Sequence, residues 1–466
     1  MAYYAELFEP LTHDITKGEV LLPNSPSYEE SLQRWSATCV KRACVVVKPT
    51  SAREVSAAIQ FATSASLPIA VLCGGHSTGG ASSSEGGLVI DLSLMRDVDV
   101  DPAAQTAVIG GGCLTRHVDA AACAHGLAAV SATDHTVGYG GFVLGGGYSF
   151  LTPLRGLGCD SLLEVEVVLA DGRIVRASAA DGEASDLFWA LRGAGPQLGV
   201  CTRFTTRLHG QGDAWVGSLV FGLEKLPDVV AFANHVHEHH DGRQYLRFGC
   251  ASGAAPTREP AIVCVVFFNG AQADAEAYFK PLLDAGPSAN TAKMRPWDEV
   301  NGAAASPPGA SRKIQGSANF VMPLDVKDVQ ATFDTFFAFA REKNLHEGSA
   351  VMWEVVPYDK VRELDGAATA FPARREMYQI STVLQWDDRA MDKEVREFNA
   401  ALVRTLKSTG IGSGVQGYNN YDGIELTPEE AYGENLERLR EVKKKYDPTN
   451  VFSKWHPILA AAESSS

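Results

Sequence analysis

The sequence predicts an α+β protein built from two domains, the second of which combines an antiparallel sheet with helices. A chain of 466 residues is too long for one compact core. Up to about residue 211, short strands and helices alternate, glycine-rich segments join them, and Asp171-Gly172 predicts a hairpin. After residue 212 glycine becomes rarer, and alternating strands such as 215–221 and 262–268 stand among longer helices. We therefore expect a domain boundary near residue 212.

The first region opens with a strand, a helix and a second strand. Residues 45–47 are three consecutive valines, which is typical of a buried strand. Ser51 and Glu54 have the spacing of a capping box, and apolar residues at helical spacing then predict a helix over about 51–65. Residues 68–72 predict the next strand. This β-α-β unit ends in a glycine-rich loop.

That loop is Gly74-Gly75-His76-Ser77, and a denser glycine segment follows at residues 138–147. Paired glycines let backbone N–H groups approach a diphosphate closely, and Ser77 adds a hydroxyl donor. Alone, G-G-H is weak, since a single loop histidine is more often structural or solvated. The segment at 193–199 is no nicotinamide fingerprint, because it leads into a strand and not a helix. The alternative is that these glycines serve only turns.

Composition excludes several classes of function. The net charge of −15, from 56 acidic and 41 basic side chains, disfavours nucleic-acid binding. No run of 18 apolar residues is present, so we expect no membrane span. The N-terminus lacks the pattern of a secretory signal. The nine cysteines include no C-x-x-C pair, which indicates a reducing, cytoplasmic location without structural zinc or a disulfide framework.

Four histidines between residues 235 and 240 resemble a metal site. His235 and His239 share a helix face at i, i+4. However, the sequence contains no H-E-x-x-H motif and offers no evident third ligand. We interpret the cluster as a solvated helix end and expect no metal.

Taken in order and spacing, a set of motifs over about residues 40–210 and 415–458 resembles a known family. It is similar to the vanillyl-alcohol oxidase/p-cresol methylhydroxylase flavoproteins, in the branch of the berberine bridge enzyme. The middle third matches only loosely. The motifs that carry the resemblance are residues 45–49, 54–55, 74–77, 86–92, 126–127, 145–148, 156–160, 170–172, 186–193, 418–421, 432–439 and 446–452.

The resemblance implies a two-domain FAD-binding fold of the p-cresol methylhydroxylase type. Residues 1–211 and 416–466 would form a discontinuous FAD-binding domain, and residues 212–415 the substrate domain. FAD would be bonded covalently to His76 through the flavin 8α-methyl group. The further residues implied to contact FAD are Gly74, Gly75, Ser77, Gly80, Asp134, Thr136, Val137, Gly138, Gly141, Gly145, Val200 and Asn420.

Three positions bear on the chemistry of the flavin. Asp134 stands where some members carry a cysteine, so we expect no second covalent link. Leu72 stands where many members have arginine, which would leave diphosphate binding to backbone amides. Val137 occupies the place where a small side chain leaves room for oxygen, and this favours an oxidase.

The catalytic residues follow from the same resemblance. The berberine bridge enzyme has a glutamate base at the position of Gln379, and glutamine cannot take a proton at neutral pH. Members that oxidise alcohols or sugars have a tyrosine at the position of Tyr421. An ordinary phenol, with a pKa near ~10, needs a nearby cation or hydrogen bonds to act as a base. We expect Tyr421 to be the base, with Gln379 and Tyr418 positioning; the alternative is that both tyrosines only pack against the flavin.

The expected function is that of an FAD-dependent oxidoreductase of small-molecule (secondary) metabolism. As an oxidase, it would take a hydride from an alcohol, benzylic or similar activated carbon and pass electrons to molecular oxygen. We expect a monomer with a small-molecule substrate. One alternative is an oxidative cyclase of the berberine-bridge type. Another is a non-redox cyclase, isomerase or binding protein that uses FAD as a scaffold.

Overall fold

The computed structural model describes residues 6–180, 182–253, 259–303, 311–375, 378–409, 417–421 and 423–459. The strands are β1 (Glu19–Leu21), β2 (Val45–Lys48), β3 (Ile69–Leu72), β4 (Leu88–Asp91), β5 (Val98–Asp101), β6 (Thr106–Gly110), β7 (Leu127–Ala128), β8 (Leu162–Val168), β9 (Ile174–Ser178), β10 (Val200–Arg207), β11 (His209–Gly210), β12 (Ala214–Phe221), β13 (Gln244–Ser252), β14 (Pro260–Phe268), β15 (Ala289–Asn290), β16 (Lys293–Arg295), β17 (Arg312–Phe320), β18 (Ala350–Val355) and β19 (Tyr378–Trp386).

The helices connect and cover these strands. They are α1 (Glu9–Asp14), α2 (Tyr28–Ser31), α3 (Ala52–Ser64), α4 (Thr115–Cys123), α5 (Tyr139–Leu144), α6 (Thr152–Arg155), α7 (Ser185–Ala194), α8 (Leu226–Glu238), α9 (Gln272–Tyr278), α10 (Lys280–Asp284), α11 (Trp297–Val300), α12 (Val326–Glu342), α13 (Asp359–Arg362), α14 (Asp392–Thr409), α15 (Pro428–Tyr432) and α16 (Leu436–Tyr446). Short 3-10 turns lie at Ala37–Cys39, Leu92–Leu94, Gly158–Ser161, Gly195–Gln197, Leu223–Lys225, Arg389–Met391 and Gly433–Asn435.

The first sheet has the order β1-β2-β4-β3, and β2, β4 and β3 are parallel to one another. The valines of β2 are fully buried, as the sequence predicted. The predicted helix is confirmed as α3, whose N-terminus is capped by the Ser51 hydroxyl accepting from the Glu54 N–H at 3.4 Å. The Glu54 carboxylate also accepts from the backbone N–H of Lys17 at 2.7 Å. This contact fixes the N-terminal segment against the helix.

The second sheet, β5-β6-β10-β8-β9, is antiparallel, and the predicted hairpin at Asp171-Gly172 joins β8 to β9. The C-terminal helix α16 packs against this half of the molecule. Its buried Lys443 donates to the Gln197 carbonyl at 2.6 Å and to Asp447 at 2.7 Å. A buried ammonium is tolerated only with such partners. Residues from both ends of the chain thus complete one packed unit.

The third sheet contains strands only from residues 214–386, in the order β15-β12-β14-β13-β18-β19-β17, with β16 on β12. All its described pairings are antiparallel. Successive side chains alternate between two faces. One face packs against α8, α12 and α14 in an aromatic-rich core. The other face looks towards the first two sheets, and it forms one wall of the main cavity.

Two features join the halves of the molecule. One is a buried ion pair, in which Arg374, in the segment before β19, donates to Asp160 at 2.6 Å. The other is a seam cluster of Asp119, Ser131 and Asn301. The Asp119 carboxylate accepts from Ser131 and from the Asn301 amide, each at 2.7 Å. Burial raises the pKa of Asp119 to about 7 although these hydrogen bonds oppose the shift.

Within the described ranges, no helix has the length and apolarity needed to cross a membrane.

Candidate active site

A cavity of about 690 Å³ lies between the glycine-rich loops and the third sheet. Its volume is in the range of small-molecule and cofactor sites. Two loop segments, residues 73–77 and 132–141, supply one wall. The inward face of β12, β13, β14, β18 and β19 supplies the opposite wall. The cavity therefore brings together the glycine motifs and a sheet in which the sequence analysis had singled out only Gln379.

The two predicted glycine loops touch one another at the cavity floor. A Cβ on Gly74 would lie 2.3 Å from the Gly138 nitrogen, so no larger residue fits there. Gly75 has φ +71°, which favours glycine. Two hydrogen bonds hold the loop. The backbone N–H of Trp35 donates to the Gly75 carbonyl at 3.1 Å, and the backbone N–H of Ala81 donates to the Ser77 hydroxyl at 3.0 Å.

His76 faces the cavity from this loop, and its ring is fixed on two sides. The Nε2 atom lies 2.9 Å from the Thr136 hydroxyl. The ring stacks on Trp35 with centroids 5.2 Å apart. Burial and the nearby Lys313 cation lower the pKa of His76 to about 4, although Asp134 opposes the shift. His76 is therefore neutral at physiological pH, as a nucleophile or ligand must be.

Asp134 and Thr136 form the outer part of the same arrangement. The Thr136 hydroxyl donates to Asp134 Oδ1 at 2.7 Å, and the Thr136 N–H donates to the same atom at 2.8 Å. Lys313 of β17 approaches from the third sheet, with its Nζ 4.4 Å from the centre of the Trp35 ring. Val137 lines the cavity next to this group.

The far end of the cavity carries positive charge that the sequence analysis missed. Lys454 lines the cavity, and Lys41 Nζ lies against Gly80, whose φ is +84°. Burial, and after it the charge of Lys41, lowers the pKa of Lys454. Two neighbouring ammonium groups suit a diphosphate. Ser82 adds a buried hydroxyl that has no hydrogen-bond partner in the described structure. These donors, with the glycine loops, fit FAD.

Two other predicted contacts have mainly structural surroundings. The Val200 side chain is buried in the core, and its neighbours Gly199 and Cys201 face the cavity in its place. Gly145 does not line the cavity, but a Cβ there would lie 2.1 Å from Asn420 Oδ1. Gly138, Gly141 and Asn420 do line it.

Tyr418 lines the cavity, yet its hydroxyl is already occupied. It accepts from the Gly147 N–H at 3.0 Å and from the Asn420 amide at 2.7 Å. Burial raises its pKa. Tyr418 therefore fixes the end of the 138–147 segment, which agrees with the predicted positioning role.

Tyr421 points to a residue that the sequence analysis did not single out. Its hydroxyl donates to Glu354 Oε1 at 2.9 Å, and Ser381 donates to the same oxygen at 3.1 Å. Burial, and after it the charge of Glu354, raises the pKa of Tyr421 well above its usual value. The surroundings of Tyr421 therefore disfavour the phenolate form of its side chain.

Glu354 is a buried carboxylate on the cavity wall, 3% exposed. It lies opposite Arg247 on β13 and Gln379 on β19 in the strand registers. Burial raises its pKa, while Arg247 and the two hydroxyl donors oppose the shift. Arg247 also lines the cavity, and its buried Nε has no hydrogen-bond partner among the described residues.

Gln379 does not line the cavity. Its side chain accepts from the Ser317 hydroxyl at 3.3 Å. The carboxylate at this site comes from the neighbouring strand, so the absence of a glutamate at 379 does not leave the cavity without a base. A single acid inside the apolar run of β18, and a single arginine inside β13, were the available signals.

The histidines near the end of α8 make separate contacts in the structure. His235 and His239 stack with centroids 4.6 Å apart, while His237 bonds to the Tyr378 hydroxyl at 2.7 Å. No group of potential metal ligands was found among the residues with described positions.

Two family profiles match the chain, and together they bracket the third sheet. Residues 43–178 match the FAD binding domain, and residues 417–458 match the family described as berberine and berberine like.

Relatives match over nearly the whole length. The FAD-linked oxidoreductase pgmH of Aspergillus terreus is 34% identical over 96% of this chain and 94% of its own. The (R)-6-hydroxynicotine oxidase of Paenarthrobacter nicotinovorans is 28% identical over 94% of this chain and 95% of its own.

Solved structures share the fold. The 6-hydroxy-D-nicotine oxidase of Arthrobacter nicotinovorans superposes with a TM-score of 0.83 at 26% identity, covering 97% of this chain and 99% of its own. A chitooligosaccharide oxidase gives a TM-score of 0.82 at 21% identity over 97% and 99% of the two chains, which shows the fold alone.

Proposed function

Because this chain belongs to the FAD-linked oxidoreductases of the berberine-bridge-enzyme-like family, we propose that it is an oxidase that passes electrons to molecular oxygen. The chain is an FAD-dependent oxidoreductase. Its proposed substrate is a small molecule with an alcohol, benzylic or similar activated carbon. FAD, when bound, supplies the hydride acceptor. We further propose that His76 holds it covalently and that Asp134 excludes a second, cysteinyl link.

The pair Tyr421–Glu354 is the single observation that carries the proposed chemistry. Its 2.9 Å hydrogen bond places a buried carboxylate behind a phenol on the cavity wall. Tyr421 need not be a phenolate. It can accept a substrate proton at Oη while its own proton moves to Glu354 Oε1. Because burial raises the pKa of Glu354, this pKa lies closer to neutral pH than that of an ordinary carboxyl group, and Glu354 is therefore a stronger base.

Arg247 supports this role from across the strand register. Its charge lowers the pKa of Glu354 against the effect of burial, and it thereby keeps part of the carboxylate ionised. Tyr418 does not take part in proton transfer in this scheme. Gln379 is left with a packing and positioning role beside Ser317.

The remaining wall of the cavity supports an apolar substrate. Val263, Val265, Ala350, Met352 and Val383 present hydrocarbon from the third sheet. Such a surface suits a ring or short hydrocarbon frame more than a chain of sugar hydroxyls, each of which would need a partner. A biosynthetic role in secondary metabolism agrees with this wall.

The alternative in which FAD is only a scaffold is favoured by the lack of a glutamate base at position 379, where this chain has glutamine. Glu354 removes that reason, because it supplies a carboxylate to the same cavity. The oxidative-cyclase alternative uses the same initial hydride removal, and it differs only in what the oxidised product does next.

Anaerobic mixing followed by aeration tests the proposal. Benzylic and aliphatic alcohols are added to the yellow protein without oxygen, and the absorbance of the flavin is followed. We expect one substrate class to bleach the flavin, and air to restore the colour with one equivalent of hydrogen peroxide. Tyr421→Phe should slow the bleaching. Substrate conversion without bleaching or oxygen uptake would establish the scaffold alternative instead.

Covalent attachment is tested separately by acid precipitation. We expect the yellow colour to remain in the pellet and the intact mass to include FAD. His76→Ala should release all flavin to the supernatant, whereas the exposed His125→Ala should not.

A further inference from the structure

A directed chain of hydrogen bonds leads from Asp134 to His76. Asp134 can only accept, so the bond of 2.7 Å between its Oδ1 and Thr136 Oγ1 uses the single hydroxyl proton of Thr136. The oxygen of Thr136 must then accept in its contact of 2.9 Å with His76 Nε2. The proton of the neutral imidazole therefore lies on Nε2, and Nδ1 keeps its lone pair.

The surroundings hold His76 in this one state. Trp35 covers one face of the His76 ring, and Lys313 lies over the Trp35 ring, with its Nζ 4.4 Å from the indole centre. The Lys313 cation disfavours a second proton on the ring, and it lowers the pKa of His76 together with burial. Both nitrogens of His76 thus have a defined role: Nε2 donates to Thr136, and Nδ1 is free to form a bond.

We propose that Asp134 is the positioning residue and final proton acceptor for the covalent attachment of FAD to His76, acting through the Thr136 hydroxyl. This inference rests on the covalent link proposed above. It assigns a use to the carboxylate at the very position where other members carry a second attachment point.

The atoms and electrons balance with oxygen as the oxidant. A bond would form between His76 Nδ1 and the flavin 8α carbon as one C–H bond of that methyl group breaks. The methyl proton would leave to solvent, and the electron pair of the C–H bond would stay on the flavin. The Nε2 proton of His76 passes to Thr136 as the Thr136 proton passes to Asp134. Two electrons remain on the flavin until molecular oxygen takes them with two protons, which gives hydrogen peroxide. The linked protein therefore has the mass of the protein plus FAD less two hydrogen atoms, one from the His76 imidazole and one from the flavin methyl group.

The chain offers isosteric variants that separate charge from shape. In Asp134→Asn, the side-chain oxygen can still accept both bonds from Thr136, but it can no longer take a proton. Thr136→Val removes the hydroxyl at nearly constant volume, whereas Thr136→Ser retains it. His76→Ala is the variant without a nucleophile.

The experiment follows covalent attachment by intact mass under acid, in each purified protein incubated with excess FAD in air. Wild type and Thr136→Ser should become fully linked, and His76→Ala should not. Asp134→Asn and Thr136→Val should link on the order of 10²-fold more slowly, as for a lost general base. The visible spectrum before acid reports bound FAD, so a slow variant that is still yellow is folded.

Two results would overturn the proposal. Attachment at the wild-type rate in either Asp134→Asn or Thr136→Val would show that no proton passes along this chain. A wild-type protein with tightly bound but entirely acid-releasable FAD would remove the covalent link itself, and with it any role for the relay. The oxidase activity could survive that second result, which keeps the two proposals distinguishable.

Discussion

The two walls of the cavity are built in opposite ways. The cofactor wall consists of short contiguous segments, residues 74–77 and 134–141, in which neighbours in sequence are neighbours in the site. The substrate wall consists of single residues from separate strands: Arg247 and Glu354 meet only because β13 pairs with β18. In the contiguous loops the function depends on the spacing of residues along the sequence. On the sheet face each residue comes from a different strand, so one residue can be substituted without altering the others. We therefore expect variants on each wall to affect different measurements.

The largest effect should come from the substrate wall. In Glu354→Gln the carboxylate that receives the proton is lost, and the flavin reduction rate should fall by about 10²- to 10⁴-fold. The flavin content should stay at the wild-type level, because no residue of the cofactor wall is altered. The exposed Glu347→Gln, just before the same strand, is the control. Stopped-flow absorbance measures the rate, and an unchanged rate would exclude Glu354 as the acceptor.

At the far end of the cavity, beside the cofactor wall, Lys454→Gln should weaken FAD binding without altering proton transfer. A charge-assisted contact to a diphosphate contributes about 1.5–3 kcal/mol, so the dissociation constant should rise about 10- to 100-fold. The measurement needs the His76→Ala background, in which FAD is exchangeable, and it uses flavin fluorescence. The exposed Lys444→Gln should leave the constant unchanged. Equal affinity in both variants would contradict a diphosphate at this end.

A smaller effect should sharpen the role of Arg247. Glu354 accepts a proton only when ionised, so flavin reduction should speed up as pH rises through its pKa, which burial raises above the ordinary value. Arg247→Met removes the opposing charge and should move this limb to higher pH, by about one unit for each 1.4 kcal/mol lost. At a fixed pH on the limb the rate falls about 10-fold. Arg203→Met, on the exposed side of β10, should not move the limb.

The seam between the walls should affect stability more than rate. Burial raises the pKa of Asp119 to about 7, and its unfolded value is near the ordinary ~4. Stability is then fully present below the unfolded pKa and is lost as pH rises towards 7, by on the order of 4 kcal/mol. Asp119→Asn should flatten this dependence in thermal melts between pH 4 and 7, whereas the exposed Asp213→Asn should not. An unchanged pH slope in Asp119→Asn would show that another group causes it.

The contrast between the walls also explains what the sequence could predict. The α3 cap, the β8–β9 hairpin and the glycine loops depend on residues a few positions apart, and all three are confirmed. The family resemblance, carried by local motifs, also predicted the fold. Gln379 was singled out because it matched a known catalytic position, yet it shares a sheet face with Glu354 without lining the cavity.

Glu354 could not be predicted in the same way. Its importance comes from its register with Arg247 and from a hydrogen bond to Tyr421, which is 67 residues away along the chain. A lone acid in an apolar strand indicates a buried charge, but nothing in the strand itself tells which cavity it faces. Lys41 and Lys454 pose the same difficulty, because they meet only once the chain ends have packed together.

The buried contact of Lys443 with Gln197 and Asp447 has a consequence for the timing of synthesis. Domains begin to fold while the chain is still emerging from the ribosome. Here the glycine loops are translated well before α16 and Lys454. A nascent chain therefore has the loops before it has α16 and Lys454. We expect FAD to bind tightly only after these residues have been translated, and we expect chains that stop short of residue 436 to be unstable and without flavin.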